Sequence, residues 1–423
     1  MLELYNSMSR SRETFRPRED KRVKIFTCGP STYRRPHVGN YRTFLYEDVL
    51  VRYLEYLDFE VQRVINFTDI EDKMLAEAVK LGTRPEQIAR DVAEHFFRET
   101  SQLAIKLPVE IPRASTSVDQ AVQIVQELVK KGFAYWHDGN VFFDPLKCEG
   151  FGRLFRLDMS RWPKQKVRFK KDTYRGRRWN RGDFILWHGH ENGDVGAWQT
   201  ELGYGRPSWN IQDPAMVIEH LGPEIDINCG GIDNIYRHHD YNIAVIEAYS
   251  GKRYANYYLH GEHLVVNGKT MSKSRGNILY PEEIYAWGYE PHHLRYFLIS
   301  THYRRKLNLT QAAFAERSRH LDELRARVRS ILKPAGGTSS TSAETAGRRG
   351  ADLPGRPTQG AGRAGALIEA FEKQMNEDLS IGTALEELEQ SLARIESGSA
   401  PRPGVHELRT VLERINSVAR VLL

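Results

Sequence analysis

Residues 23–65 constrain the fold of this chain more than any other stretch. An apolar run, VKIFTC, breaks at Gly29-Pro30 and reaches a short loop, His37-Val38-Gly39-Asn40. From residue 39 to about 58, Leu45, Val49, Tyr53 and Leu57 recur at helical spacing and predict a helix with one buried face. A second strand is expected at about 61–65. Strand, crossover helix and strand in this order predict a βαβ unit and a parallel sheet, hence the α/β class. A glycine-bearing loop that opens a helix is a natural phosphate site, because unpaired backbone N–H groups and the positive helix end converge there. ATP is the expected ligand of this loop.

Downstream, Thr68-Asp69-Ile70-Glu71 has the pattern of a capping box, so a helix is expected from there to about residue 81, ending at Gly82. Further helices are expected at about 85–106 and 118–131. Strands at about 133–136 and 140–143 flank His137-Asp138-Gly139 as a hairpin. Residues 145–208 read as an irregular insertion. Its basic run, 170–181, contains Tyr174 and Trp179 and reads as a solvated loop, with nucleic-acid contact as the alternative. Strand and helix alternate again between about 209 and 301, and a helix is expected at 321–332. Residues 333–365, rich in Gly, Ser, Thr, Ala, Arg and Pro, cannot bury enough apolar surface to fold and are expected to be a flexible linker. Three helices should follow, near 366–377, 383–396 and 405–422.

Composition narrows the setting. The net charge of +6, from 61 basic and 55 acidic residues, permits an anionic partner without requiring one. Three cysteines, Cys28, Cys148 and Cys229, argue against a disulfide framework and for a reducing cytoplasm. No apolar run approaches membrane-spanning length, and the N-terminus has no hydrophobic segment that could act as a secretory signal. A cytoplasmic protein without membrane contact is therefore expected.

A second motif occupies residues 269–277, KTMSKSRGN. A mobile Lys/Ser loop can follow phosphate charge as it moves and stabilise a leaving pyrophosphate. Together with the His-x-Gly-Asn loop it resembles the two signatures of class I aminoacyl-tRNA synthetases. Within that class the chain resembles cysteinyl-tRNA synthetases. The likeness runs through TCGPSTYRRPHVGNYRTF, INFTDIEDKM, GDFILW, GRPSWNIQDPAM, GGIDNIYRHHDYNIA, MSKSRGN and LRYFLISTHYR, and past the linker in MNEDLSIGTALEEL.

The resemblance implies a Rossmann-like parallel-sheet catalytic domain at 1–315, with an insertion at about 115–208. A C-terminal α-helical bundle at 316–423 would follow, interrupted by the linker. It implies an enzyme that uses ATP with Mg2+ to turn an amino acid into an aminoacyl-adenylate and passes it to an acceptor. His37 and Lys273 are then the catalytic candidates. Gly39, Asn40, Gly230, Gly231, Asp233, Lys269, Met271, Ser272 and Ser274 are the ATP-binding candidates. Asn40 stands where the family usually has a second His, and Thr270 stands in place of the first loop lysine. Cys28, Thr68, Trp209, Asp213 and His238 are the candidates for the amino-acid pocket.

Departures from the family carry information too. The family holds a zinc ion, which binds the substrate thiolate, on two Cys, a His and a Glu. The matching positions are Cys28, Asp213, His238 and Asn242. One thiolate has become a carboxylate and the Glu an amide, a poor ligand. Loss of the zinc site is expected, with a weaker or different metal site on Cys28, Asp213 and His238 as the alternative; Cys229 replaces a nearby family glycine. Without zinc, thiolate selection loses its basis, so an amino acid other than cysteine is expected. The family's anticodon-reading module has no counterpart before the chain stops at Leu423. That brings anticodon reading into question and leaves the acceptor as tRNA or a small amine, as in the mycothiol cysteine ligase. The rivals are an ordinary cysteine–tRNA ligase with a modified metal site and a silent paralogue that binds tRNA or protein. Retention of His37 and Lys273 argues against silence.

Overall fold

The computed structural model describes residues 1–158, 183–191, 196–333, 364–401 and 403–423. The basic run at 170–181 and the expected linker, from 334 to 363, lie outside the described residues.

At the centre is a four-stranded parallel sheet. Its strands lie in the order Ala255–Gly261, Ile225–Gly231, Arg22–Thr27, Glu60–Ile65. Val23, Ile25 and Phe26 are fully buried, as expected of a strand covered on both faces. The expected helix runs from Val38 to Tyr56 and returns the chain to the strand Glu60–Ile65. Because the strands are parallel and in register, Thr27 lies beside Cys229 on one side and Ile65 on the other. Their carboxyl ends therefore open at one edge, and ligands of such sheets bind there.

Two expectations change. The Thr68–Glu71 capping box does not form. The helix Asp72–Leu81 has Glu71 as N-cap without a side-chain cap bond, and Thr68 instead bridges Ser31 across the sheet edge. Its backbone carbonyl accepts from Thr32 N at 3.0 Å, so tertiary pairing outcompetes the local cap. The insertion is also more regular than expected. The hairpin Ala134–His137 and Asn140–Phe143 continues through Phe184–Gly189, Gly203–Pro207 and Trp198–Thr200 into a five-stranded antiparallel sheet. Its buried Phe142, Phe143, Phe184, Leu186 and Trp187 need that sheet for cover. Asp138 and Gly139, both at positive φ, make the tight turn of the hairpin.

Four helices, Gln311–Leu332, Gly365–Asn376, Ile381–Glu396 and Val405–Ala419, bundle together, and Gly365–Asn376 and Val405–Ala419 pack against the Val38–Tyr56 helix. The first of the four starts ten residues earlier than the apolar pattern suggested. Thr310 caps it, accepting from Ala313 N at 3.1 Å. The joint between bundle and sheet is apolar, and an ionic tie reinforces it. Asp48, fully buried, accepts from Arg295 at 2.6 Å, from Arg52 at 3.0 Å and from Lys106 N at 2.7 Å. Arg295 also donates to the carbonyl of Ala419 at 2.8 Å, which ties down the last helix. No helix among the described residues is long and apolar enough to cross a membrane.

Burial acts to raise the Asp48 carboxyl, but the charges of Arg295 and Arg52 and the bonds to it outweigh burial and hold it below the ordinary carboxylate range. A depressed carboxyl stabilises the fold above its unfolded value and loses that contribution as pH falls through the folded value. Asp48→Asn should therefore cost about 3 kcal/mol at pH 7, by leaving Arg295 buried without a counter-charge. Urea denaturation from pH 7 down to pH 2 should show the difference between wild type and variant narrowing only below the ordinary carboxylate range.

Candidate active site

Three carboxyl ends of the sheet feed one cavity of about 420 Å³, lined by Cys28, Gly29, Ser31, Asn66, Thr68, Glu71, Asp72, Lys73, Trp209, Asp213, Asn234 and His238. All five residues expected in the amino-acid pocket are thus brought together. Cys28 follows the strand Arg22–Thr27, and Asn66 follows Glu60–Ile65. Gly29 passes so close that a Cβ there would lie 1.8 Å from the Asn66 carbonyl oxygen, so glycine is required. Its N–H donates to Asn66 Oδ1 at 2.8 Å.

Trp209 and Asp213 stand one turn apart on the helix Trp209–Leu221, whose N-cap Ser208 accepts from Asn210 N at 3.2 Å. This i, i+4 spacing puts both on one face. His238 and Asn242 have the same spacing. Asp213 is the hub of the floor. Its Oδ1 accepts from Asn66 Nδ2 at 2.8 Å; its Oδ2 lies 2.8 Å from His238 Nε2, 3.4 Å from Asn242 Nδ2 and 3.8 Å from Cys28 Sγ. The Trp209 ring stacks on His238, centroids 5.4 Å apart and 24° from parallel. Burial, then the carboxylates of Asp213 and Glu47, push the Cys28 thiol well up.

The ATP candidates cluster beside this cavity. His37 caps the Val38–Tyr56 helix reciprocally: its Nδ1 accepts from Asn40 N at 3.3 Å, and Asn40 Oδ1 accepts from His37 N at 3.0 Å. Asn40 thus closes a capping box and is not an empty substitution for His. Burial lowers the His37 pKa, although Asp233 pulls it back up. With Nδ1 accepting, the proton of the neutral ring belongs on Nε2. Gly230 and Gly231 end the strand Ile225–Gly231, and Gly231 N donates to Asn234 Oδ1 at 3.1 Å, turning the chain so that Asp233 is exposed. The two signature loops meet at Gly39, where an added Cβ would lie 2.6 Å from Met271 Cε.

The second loop closes on itself. Ser272 N donates to Asn277 Oδ1 at 2.9 Å, Ser272 and Ser274 hydroxyls lie 3.3 Å apart, and Lys269 is exposed on the strand before it. Lys273 begins a 3-10 turn, and its side chain lies outside the described residues.

Several site residues escaped the sequence reading: Asn66, which orients Asp213; His239, whose Nε2 lies 3.2 Å from Cys28 Sγ; and Arg35, beside the His37 loop. Asn66 was legible in principle, as a polar residue just past a strand's carboxyl end. His239 was not, because its buried contacts to His260 (2.8 Å) and Asn228 (3.1 Å) arise only in three dimensions.

Comparison with known proteins agrees with this geometry. The family model for the class I (C) tRNA synthetase catalytic domain matches residues 14–319. A cysteine–tRNA ligase of Chlamydia abortus is 32% identical over 431 residues, covering 100% of this chain and 86% of that protein. One of Bacillus cereus is 33% identical over 390 residues, covering 92% and 79%. Among solved structures, Mycobacterium tuberculosis methionyl-tRNA synthetase in complex with methionyl-adenylate superposes with a TM-score of 0.63 at 15% identity, over 95% of this chain and 90% of that one. The ternary LeuRS–tRNA–LeuAMS complex of Agrobacterium radiobacter gives 0.64 at 12% identity, over 96% and 85%. The sheet, its two signature loops and the bundle are those of a class I aminoacyl-tRNA synthetase, an ATP-dependent ligase that forms an aminoacyl-adenylate. Within that class, the chain belongs to the cysteinyl-tRNA synthetase family.

The residues at the family's zinc positions do not fit its ligand set. One thiolate is gone. Asn242 turns its amide nitrogen toward Asp213, while its buried Oδ1 has no hydrogen-bond partner among the described residues. A neutral amide oxygen is a poorer zinc ligand than the family's carboxylate. For a different metal site, Asp213 Oδ2 lies 2.8 Å from His238 Nε2 and 3.8 Å from Cys28 Sγ, and a second set is at hand: the potential ligand atoms of Cys28, His238 and His239 lie within 4.8 Å of one another. Purified protein should carry well under one zinc per chain by inductively coupled plasma mass spectrometry. One tightly held zinc, lost in His239→Ala, would assign the alternative set instead.

Proposed function

We propose that this chain activates a small amino acid with a hydrogen-bond-donating side chain and transfers it from the adenylate to tRNA. The observation that carries the reading is Asp213 at the floor of the cavity, with Asn66, His238 and Asn242 around it. A carboxylate accepts only. Without a metal cation it repels a thiolate and welcomes a hydroxyl or amino group. The ring of Trp209 over His238 limits the side chain to a small one.

In the proposed reaction the amino-acid carboxylate oxygen attacks the α-phosphorus of ATP, and pyrophosphate departs with the electrons of the broken P–O bond. His37 Nε2–H, held by the capping box, donates to the phosphate oxygens as charge builds on them. Lys273 and the loop around it, with Lys269, Met271, Ser272 and Ser274, follow the departing pyrophosphate. Gly39 and Asn40 present the helix N-terminus, Gly230 and Gly231 allow close approach of the nucleotide, and Asp233 accepts from its ribose. Thr68 and Cys28 line the amino-acid side. The catalytic unit on this reading is residues 1–315, with 115–208 inserted and the bundle at 316–423. The relatives and the solved neighbours carry tRNA in their names, one neighbour is a complex with tRNA, and no observation favours a small amine as acceptor.

Amino-acid-dependent ATP–pyrophosphate exchange tests this, screened over the proteinogenic amino acids and 2,3-diaminopropionate. A hydroxyl- or amino-bearing side chain should exceed cysteine by about tenfold or more; cysteine as the best substrate would overturn the reading. His37→Ala and Lys273→Ala should each lower exchange by about a hundredfold, and charging of total tRNA with the amino acid found checks the acceptor.

A further inference from the structure

Arg35 lies two residues before His37 and faces three elements at once. Its Nε donates to Glu99 Oε1 at 2.7 Å, and Nη2 is bonded to the same oxygen. The other edge of the guanidinium forks onto both carboxylate oxygens of Glu282. The plane lies over the Tyr280 ring, 5.1 Å from its centroid. Glu99, on the helix Pro85–Gln102, is 1% exposed and is anchored again by the hydroxyl of the buried Tyr41 at 2.5 Å. Tyr280 and Glu282 belong to the start of the helix Pro281–Ala286, where the chain re-enters the body of the protein after the loop 269–277. Beside them, Val38 N donates to the carbonyl of Leu279 at 2.9 Å.

We infer that Arg35 is a positioning residue that latches the His37 loop to the root of the Lys/Ser loop, so that both reach the triphosphate in register. The physical case is one of connectivity. The two loops are about 230 residues apart in sequence, so nothing local sets their relative position. Met271 over Gly39 is an apolar contact that slides at little cost. The guanidinium is different: it is planar, carries five donors in a fixed fork, and meets one buried and one exposed carboxylate. Glu99 gives it a rigid anchor in the body, and Glu282 is the group held. Burial acts to lower the Arg35 pKa, but the bonds to Glu282 and Glu99 raise it, so the fork stays charged. The bonds of Arg35 run to Glu99 and Glu282, so it acts through His37 and the 269–277 loop.

The inference rests on the ATP site proposed above, and one arm of its test does not. Tryptic cleavage of the full-length protein without ligands, mapped by mass spectrometry, reads the loop directly through Lys269, Lys273 and Arg275. Cleavage there should be about tenfold faster in Arg35→Ala and in Glu282→Gln, with sites elsewhere unchanged. Arg35→Lys should restore little, because an ammonium cannot fork onto two carboxylates. In exchange assays, Arg35→Ala should raise the ATP KM and lower kcat, about tenfold in their ratio, with the amino-acid KM unchanged. Two results would overturn the latch: loop cleavage at the wild-type rate in Arg35→Ala, or an equal loss toward ATP and amino acid that tracks a lower melting temperature. Faster loop cleavage in an enzyme that exchanges with no amino acid would uphold the latch and sink the activity proposed above.

Discussion

The parallel pairing of the strand Arg22–Thr27 with a neighbour on either side is the interaction on which the rest depends. It sets Thr27 beside Cys229 and Ile65, so that Cys28, Asn66 and Gly230 emerge together at one edge. Trp209 and Asp213 come to that edge on the helix Trp209–Leu221, and the 269–277 loop comes to it from a separate sheet. The helix Val38–Tyr56 starts at the edge with His37 as its cap, and the turn after Gly231 presents Asp233. If the register slipped by one residue, the side chains of a strand would exchange faces and the three ends would no longer converge.

Hung from this frame are two sites with different chemistries. On the reading proposed above, the phosphate side is built of backbone and helix end, with His37 as a donor. Such a site is indifferent to which amino acid is activated. The amino-acid side is built of side chains around Asp213. There the family's thiolate-binding metal positions have become a hydrogen-bonded network in which Asn66, His238 and Asn242 surround one carboxylate. One face can change its selectivity while the other keeps the activation chemistry, because they share a sheet edge but almost no side chains.

Much of this was legible along the chain. The helix at Val38–Tyr56, the hairpin around Asp138-Gly139 and the last helices follow from apolar period and turn residues, and the structure moves their ends by only a few residues. The capping box at Thr68–Glu71 was a misreading of a local pattern: Thr68 faces Ser31, and that long-range pair displaces the cap. The insertion looked irregular because its strands are short and partner across gaps of up to about forty residues, a separation to which a local period is blind. Trp209 and Asp213 could be placed together by helical spacing, whereas the approach of His239 to Cys28 could not.

The residues themselves determine the class of chemistry: a His-x-Gly-Asn loop at a helix start, a Lys/Ser loop and two metal positions altered in type. These are properties of side chains and local spacing, which the chain carries whatever its fold. What only the tertiary structure decides is relative placement. That Asn242 turns its amide nitrogen to Asp213 and that Arg35 bridges Glu99 and Glu282 are contacts between distant segments. They depend on how the sheet, the crossover helices and the helix Pro281–Ala286 pack, and packing is a property of the whole chain.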